Sequence, residues 1–253
     1  MIKAFTGFIA IWITVCYNLA SAQVTDPSKP IRVFQVNTWA GYYAPMGNLS
    51  QRFDPGALVG LELSQQFKNG WKLGLSGGHY FGAEVLERDI MSNITTPGGD
   101  VITEAGIFED YRLRSFGWAL YGRIGKVFPI AGSNPNSGIL IDLGVGVFQH
   151  KIWIETPTIN SPQLMGDYKK GYDRLTNGLS VNPFIGYQYL SNNKLINFYA
   201  GVDFHNAWTQ GRRTLNFNTG LPDNTPRIDQ LLGFRAGWIL PLYRRAEKEL
   251  MFY

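Results

Sequence analysis

Gly74-Leu75-Ser76-Gly77-Gly78 has the Gly-x-Ser-x-Gly spacing that presents a serine nucleophile when it lies on a sharp strand-to-helix turn. Of the three histidines, His150 and His205 fall on inward faces and could with Asp203 supply a general acid–base pair or metal ligands, whereas His79 falls on the other face of its strand. Neither set has the context its chemistry needs. Ser76 falls inside a strand-like alternation with no helical pattern after it, and no histidine has the His-Glu-x-x-His spacing of a metal site. A third set carries charge: Glu62, Lys72, Arg123, Asp142, Asp203 and Arg235 fall on the polar side of alternating stretches. Charges of both signs confined together must pair or meet water, so these residues read as an ionic network filling an interior. No catalytic, cofactor-binding or metal-ligating residue is assigned.

Strands must position these groups. After Pro30 the sequence falls into stretches in which alternate residues are apolar, the period of a strand with two unlike faces. Ile196, Phe198, Ala200, Val202, Phe204 and Trp208 share one face, while Asn197, Tyr199, Gly201, Asp203 and His205 share the other. Such stretches span roughly 31–43, 56–67, 71–85, 112–128, 138–154, 179–190, 195–208 and 229–243. Several reach the ~9–11 residues with which a tilted strand crosses a bilayer. Short and long connections alternate: turns at 68–70, 132–138 and 191–194, and long loops at about 44–55, 86–111, 155–178 and 209–228. This is the layout of an up-and-down antiparallel transmembrane barrel of eight strands, short turns on the periplasmic side and long loops outside. Both termini would then be periplasmic. A soluble barrel or sandwich would put its apolar faces inward and leave the Gly-, Asn- and charge-bearing face in water.

Composition agrees with this class. The chain of 253 residues is 45% hydrophobic and 14% aromatic but only 17% charged, below the quarter usual for soluble domains and unlike a disordered chain. Past residue 22 no apolar run approaches the ~20 residues of a membrane-spanning helix. A net charge of +4, mixed in sign, does not imply a nucleic-acid partner. Residues 1–22 read as a secretory signal peptide: Lys3, an apolar stretch from Phe5 to Val15, and Ala20-Ser21-Ala22 before cleavage. The single cysteine, Cys16, lies within it, so the mature chain has no disulfide or thiolate site. The expected organisation is thus signal peptide 1–22, barrel 23–243 and a periplasmic tail 244–253.

Aromatics toward strand ends, including Tyr42, Tyr43, Trp71, Phe116, Trp118, Phe128, Trp153, Tyr187, Tyr189, Trp208 and Tyr243, are expected to form interfacial girdles. With these strands, turns and girdles the chain resembles the small eight-stranded outer-membrane barrels of the OmpX and OmpA-transmembrane type. In the last strand Arg235, Gly237, Leu240 and Leu242 resemble a terminal assembly signal, which implies recognition by the barrel-assembly machinery. Pro241 inside this strand, and the residues that follow it, depart from the pattern. The Ala-Gln cleavage site, the Asn-rich turns and the Gly-Trp-x-x-Pro-x-Tyr ending resemble barrels of Bacteroidetes-type envelopes, among them small accessory barrels of the type IX secretion system.

The reading favoured is a non-enzymatic outer-membrane barrel with a structural or accessory role. It would contact outer-membrane lipids and lipopolysaccharide, and bind an envelope protein through its loops or tail. The alternatives are a lipid-modifying enzyme using Ser76 or the histidines, and a narrow solute channel. The basic loop residues Lys169, Lys170, Arg174, Arg212, Arg213 and Arg227 are candidates for lipid phosphates. The acidic second loop, with Glu87, Asp89, Asp100, Glu104, Glu109 and Asp110, is a candidate for a partner or a divalent cation.

Overall fold

Strands with one apolar and one polar face, joined by tight turns, pair with their neighbours in chain order, and closing the ring leaves no unpaired edge. In the computed structural model they form a closed antiparallel barrel in which each strand pairs with its neighbours in chain order and the last pairs with the first. The barrel strands are β1 (Val33–Gly47), β2 (Gly56–Gln66), β3 (Trp71–Gly82), β6 (Arg112–Pro129), β7 (Gly138–Glu155), β8 (Thr176–Leu190), β9 (Asn197–Gly211) and β10 (Pro226–Tyr243). A separate hairpin, β4 (Val101–Ile102) with β5 (Phe108–Glu109), lies in the loop between β3 and β6. The ring closes where β1 pairs with β10, from Val33↔Tyr243 to Gly47↔Asp229. The structure describes residues 32–243 apart from 83, 131–133, 157–160 and 192–195. The expected signal peptide, most of the 191–194 turn and the 244–253 tail lie outside the described residues.

The turn at 68–70 shows why the short connections can be short. Gly70 adopts φ 82°, its amide donates to the Phe67 carbonyl at 3.0 Å, and the Trp71 amide meets Asn69 Oδ1 at 3.3 Å. At the other end several strands run past their expected limits: β1 to Gly47, β8 from Thr176, β9 to Gly211 and β10 from Pro226. Backbone ladders continue there, as in Pro226↔Gln210, although the apolar alternation has ceased and gives the sequence no signal. The third strand instead stops at Gly82, short of the expected residue 85, and Val85 forms only an isolated bridge with Phe53.

Three prolines sit inside strands. Pro45 of β1 lies past the end of the β1–β2 ladder at Tyr43↔Gly56 and pairs with β10 alone. Pro241 lies where β10 pairs with β1 alone, since the β9–β10 ladder ends at Trp238↔Phe198. A missing donor on that side costs nothing. Pro183 of β8 falls in a gap in the β8–β9 ladder, and there Asn182 Nδ2 donates to the Phe204 carbonyl at 2.9 Å. The asparagine side chain supplies a donor where the proline backbone has none.

The faces are the reverse of a water-soluble barrel. Leu75, Leu179 and Phe234 are 64%, 69% and 74% exposed on the outside. Inside lie Gln35, Asn37, Glu62, Lys72, Asn182 and Asp203, all buried. An apolar exterior of this extent is a solvent match for hydrocarbon, where every backbone group must be paired and a closed barrel meets that demand. Among the described residues no helix is long and apolar enough to cross a membrane, which says nothing of a barrel. Tyr43 corrects one expectation: it is fully buried in the lumen, whereas Tyr42 beside it is 66% exposed. Neighbouring residues of a strand point to opposite faces, so only one of the pair can join an outer girdle.

Inside, room for large side chains comes from glycine. A Cβ on Gly60 or Gly78 would lie 2.6 or 2.7 Å from the Trp39 indole, which occupies the space these residues leave.

Candidate functional site

The six charged residues placed inward by the alternation lie in one connected lumen cluster, and each is at most 5% exposed. Lys72 Nζ lies 2.7 Å from Glu62 Oε1, and Arg123 Nε lies 3.8 Å from Glu62 Oε2. Arg123 reaches Asp142 Oδ1 at 2.5 Å and donates to Asn182 Oδ1 at 2.6 Å. Asn182 in turn donates to Asp203 Oδ1 at 2.6 Å. Asp203 Oδ2 accepts from the Tyr43 hydroxyl at 2.7 Å and lies 3.3 Å from Arg235 Nη1. The Arg235 guanidinium lies 4.3 Å from the Phe184 ring centroid, 5.4 Å from Trp39 and 5.7 Å from Tyr199. Buried cations are thus held by both carboxylates and ring faces, an arrangement that offsets much of the desolvation of each charge.

Amides close the short-turn end. Gln66 Oε1 accepts from Gln35 at 2.9 Å and from Gln188 at 2.7 Å, while Gln188 also donates to the Asn136 carbonyl at 3.0 Å.

The histidines are kept apart in three environments. His205 Nδ1 meets the Tyr121 hydroxyl at 2.9 Å and its Nε2 lies 3.5 Å from Asp203 Oδ2, so His205 extends the lumen network. His150 Nε2 contacts Asp229 Oδ2 at 2.9 Å, Thr209 donates to that same oxygen, and the Phe53 ring packs edge-on against the imidazole at 5.4 Å. His79 points outward among Phe81 and Phe116, at 6.1 and 5.8 Å. Ser76 lies in mid-strand opposite Tyr121 and Glu62, without the strand–turn–helix of a nucleophile elbow, and its hydroxyl makes no hydrogen bond among the described residues. Among the described residues the hydrogen bonds of His150 and His205 go to Asp229 and Tyr121 and not to a serine, and no group of at least three His, Cys, Asp or Glu able to hold a metal is present. In β10, Arg235 belongs to the lumen cluster, Gly237 shares its inward parity, and Leu240 and Leu242 take the opposite one.

The long loops form a packed cap. Leu49, Phe53, Val85, Ile90, Met91, Val101 and Tyr172 bury together with Ile152 and Ile154 of β7, extending above the lumen the same apolar cluster that includes Tyr80 and Phe148. Arg52, 1% exposed, binds the loops to each other. It donates to Glu87 at 3.0 Å and to Thr176 at 3.1 Å, and lies 3.8 Å from Asp223. Arg213 grips Asp173 through two hydrogen bonds of 2.7 and 2.5 Å, and Arg174 donates to Asn218 at 2.9 Å. The Asp173 contact holds Arg213 above its ordinary pKa. Arg212 donates to Asn177 at 2.6 Å, and Arg227 lies against Asn48, Asp223 and Asp229. Most of the basic residues proposed from sequence for lipid contact are therefore tied within the cap. Glu87 of the acidic loop is likewise engaged, by Arg52 and Arg174. Ile102, Ile107 and Phe108, on the β4–β5 hairpin, stay exposed at 44%, 64% and 66%.

Asp229 and Tyr121 fall on inward positions of their strands by alternation, but nothing in the sequence marks them until their partners are known. Arg52 sits in a loop, where periodicity is silent.

No protein-family model matches the chain, and neither does any curated protein. Among solved structures it is similar to Neisserial surface protein A, with 12% identity over 80% of this chain and 95% of that one and a TM-score of 0.39. It is similar to Ail, the attachment invasion locus protein of Yersinia pestis, with 8% identity, 82% and 97% coverage and a TM-score of 0.40. It is similar also to the N-terminal β-barrel domain of Pseudomonas aeruginosa OprF, with 13% identity, 81% and 96% coverage and a TM-score of 0.36. Likenesses of this size carry no weight for the chain, whose fold rests on its own closed ladder.

Proposed function

We propose that this chain is an integral outer-membrane barrel that works by binding at its loop end, as a structural or accessory component of the envelope, and not by conducting solutes. The observation that carries this reading is a lumen occupied by paired side chains beneath a packed loop cap. An eight-stranded barrel has an interior only wide enough for side chains to fill, and here the central ones are charged, buried and mutually engaged. Transport would require that network to be dismantled. The exposed residues of the β4–β5 hairpin offer a partner an apolar foothold on an otherwise ordered surface. The orientation that fits is the one with long loops outside and both termini in the periplasm. An envelope complex such as a secretion or assembly machine is the setting this reading favours. The tail 244–253 is a second contact to test.

The separation of the histidines, and Ser76 without a base, weigh against a lipid-modifying enzyme. The test is purification of the tagged mature protein from its native outer membrane in mild detergent, with mass spectrometry of what accompanies it. A stoichiometric companion lost on the I107S/F108S double substitution, or on deletion of 244–253, is expected. A barrel that comes out alone would contradict the accessory role.

A further inference from the structure

Cations on the membrane-facing rim of the long-loop end gather on one side of the barrel. Arg114 of β6 and Lys151 and Trp153 of β7 point outward there, with Arg114 directly opposite Trp153 and Phe116 opposite Lys151 in the ladder. Lys169 reaches the same place from the loop between β7 and β8. Its ammonium lies 5.0 Å from the Trp153 ring centroid and donates to the Ile154 carbonyl at 2.6 Å. The Lys151 ammonium lies 5.3 Å from that same centroid. Two lysines therefore share one indole, and among the described residues neither forms an ion pair. Burial and the charge of Lys151 both hold Lys169 below its usual pKa. The nearby carboxylates are occupied: Asp173 by Arg213, and Glu155 by Arg114 at 2.9 Å.

Beneath the cations runs an outward aromatic ladder, with His79–Phe116 at 5.8 Å, Phe81–Phe116 at 5.7 Å and Phe116–Trp153 at 6.0 Å. Around the rest of the rim, the outward strand positions Met46, Asn177, Gln210 and Ile228 are uncharged, and the exposed Arg212 that follows β9 is engaged by Asn177 at 2.6 Å.

Two like charges over one ring repel unless an anion lies between them, and the rings below place that anion at the boundary of the apolar belt. We propose that Lys151, Lys169 and Trp153 form a binding site for the phosphate of an outer-leaflet lipid, its chains lying along the Phe116–Phe81 ladder. This rests on the reading of the long-loop end as outward-facing, and it names the place where the barrel engages its lipid.

Native mass spectrometry of the full mature barrel in detergent, with diphosphoryl lipid A as the probe, tests the site. The wild type is expected to retain one lipid, and K151Q/K169Q to lose about tenfold or more in retention, since each lysine contributes a charge-assisted contact. K169Q alone, a loop change that leaves the strands untouched, is expected to fall between, and R212Q on another part of the rim to match the wild type. Circular dichroism and heat-modifiable gel mobility establish that each variant is folded. Equal retention by the folded double variant would overturn the site. So would equal retention of dephosphorylated lipid A, or full displacement by inorganic phosphate, which would make the occupant a free anion. Because binding in micelles does not depend on orientation, failure here would strike the site alone. Protease access to the β4–β5 hairpin in intact cells tests the topology separately.

Discussion

Arg235 of β10 and Asp203 of β9 meet at 3.3 Å in the lumen, both almost fully buried, with Asp203 also taking the Tyr43 hydroxyl from β1. Three consecutive strands around the β1–β10 closure are thereby joined through one carboxylate. Removing the cation strands a buried negative charge. R235M is expected to destabilise the barrel by about 3–5 kcal/mol, whereas R235M/D203N, which removes both charges, should regain much of the loss. Urea unfolding in lipid vesicles measures this. An R235M barrel as stable as the wild type would show that the pair contributes nothing.

The Trp39 indole depends on space left by glycine. A Cβ at Gly78 would stand 2.7 Å from the indole and 3.0 Å from the Val59 carbonyl. G78V is expected to cost ~1–3 kcal/mol by overpacking, and to alter Trp39 fluorescence in the folded barrel. In a W39L background the valine should be tolerated better. Equal penalties in both backgrounds would place the strain in the backbone.

Arg52 holds the cap and is remote from the apolar belt. R52A leaves Glu87 and Asp223 without their shared cation and should loosen the loops without opening the ladders. Limited proteolysis of the barrel in detergent is expected to cut the loops following β3 and β9 faster, while the thermal midpoint of the barrel changes little. An unchanged cleavage pattern would mean that the apolar core around Phe53 and Met91 holds the cap by itself.

The alternation of apolar residues made the barrel legible, because lipid and lumen impose opposite demands on successive side chains. It also placed Glu62, Lys72, Arg123, Asp142, Asp203 and Arg235 on inward positions, where the structure has them. It could not say who pairs with whom. Glu62 stands opposite Ser76 in the ladder yet binds Lys72, and His150 of β7 meets Asp229 of β10 across the lumen, so the partners depend on strand tilt and on the curvature of the closed ring. Tyr43 lies near a strand end, where a girdle is expected, but strand parity sends it inward. The cap was not legible at all. Its order comes from contacts between loops far apart in sequence, such as Arg52 with Glu87 and Asn93 with Phe217, which no local period announces.

A lumen closed by paired side chains leaves the protein to act at its surface. Single-channel recording of the refolded mature barrel in a planar bilayer tests this most directly, with insertion verified by protease protection of the strands. Inserted protein with no discrete conductance steps is expected. Stable steps of uniform size, carried by wild-type protein, would contradict it and make the chain a channel.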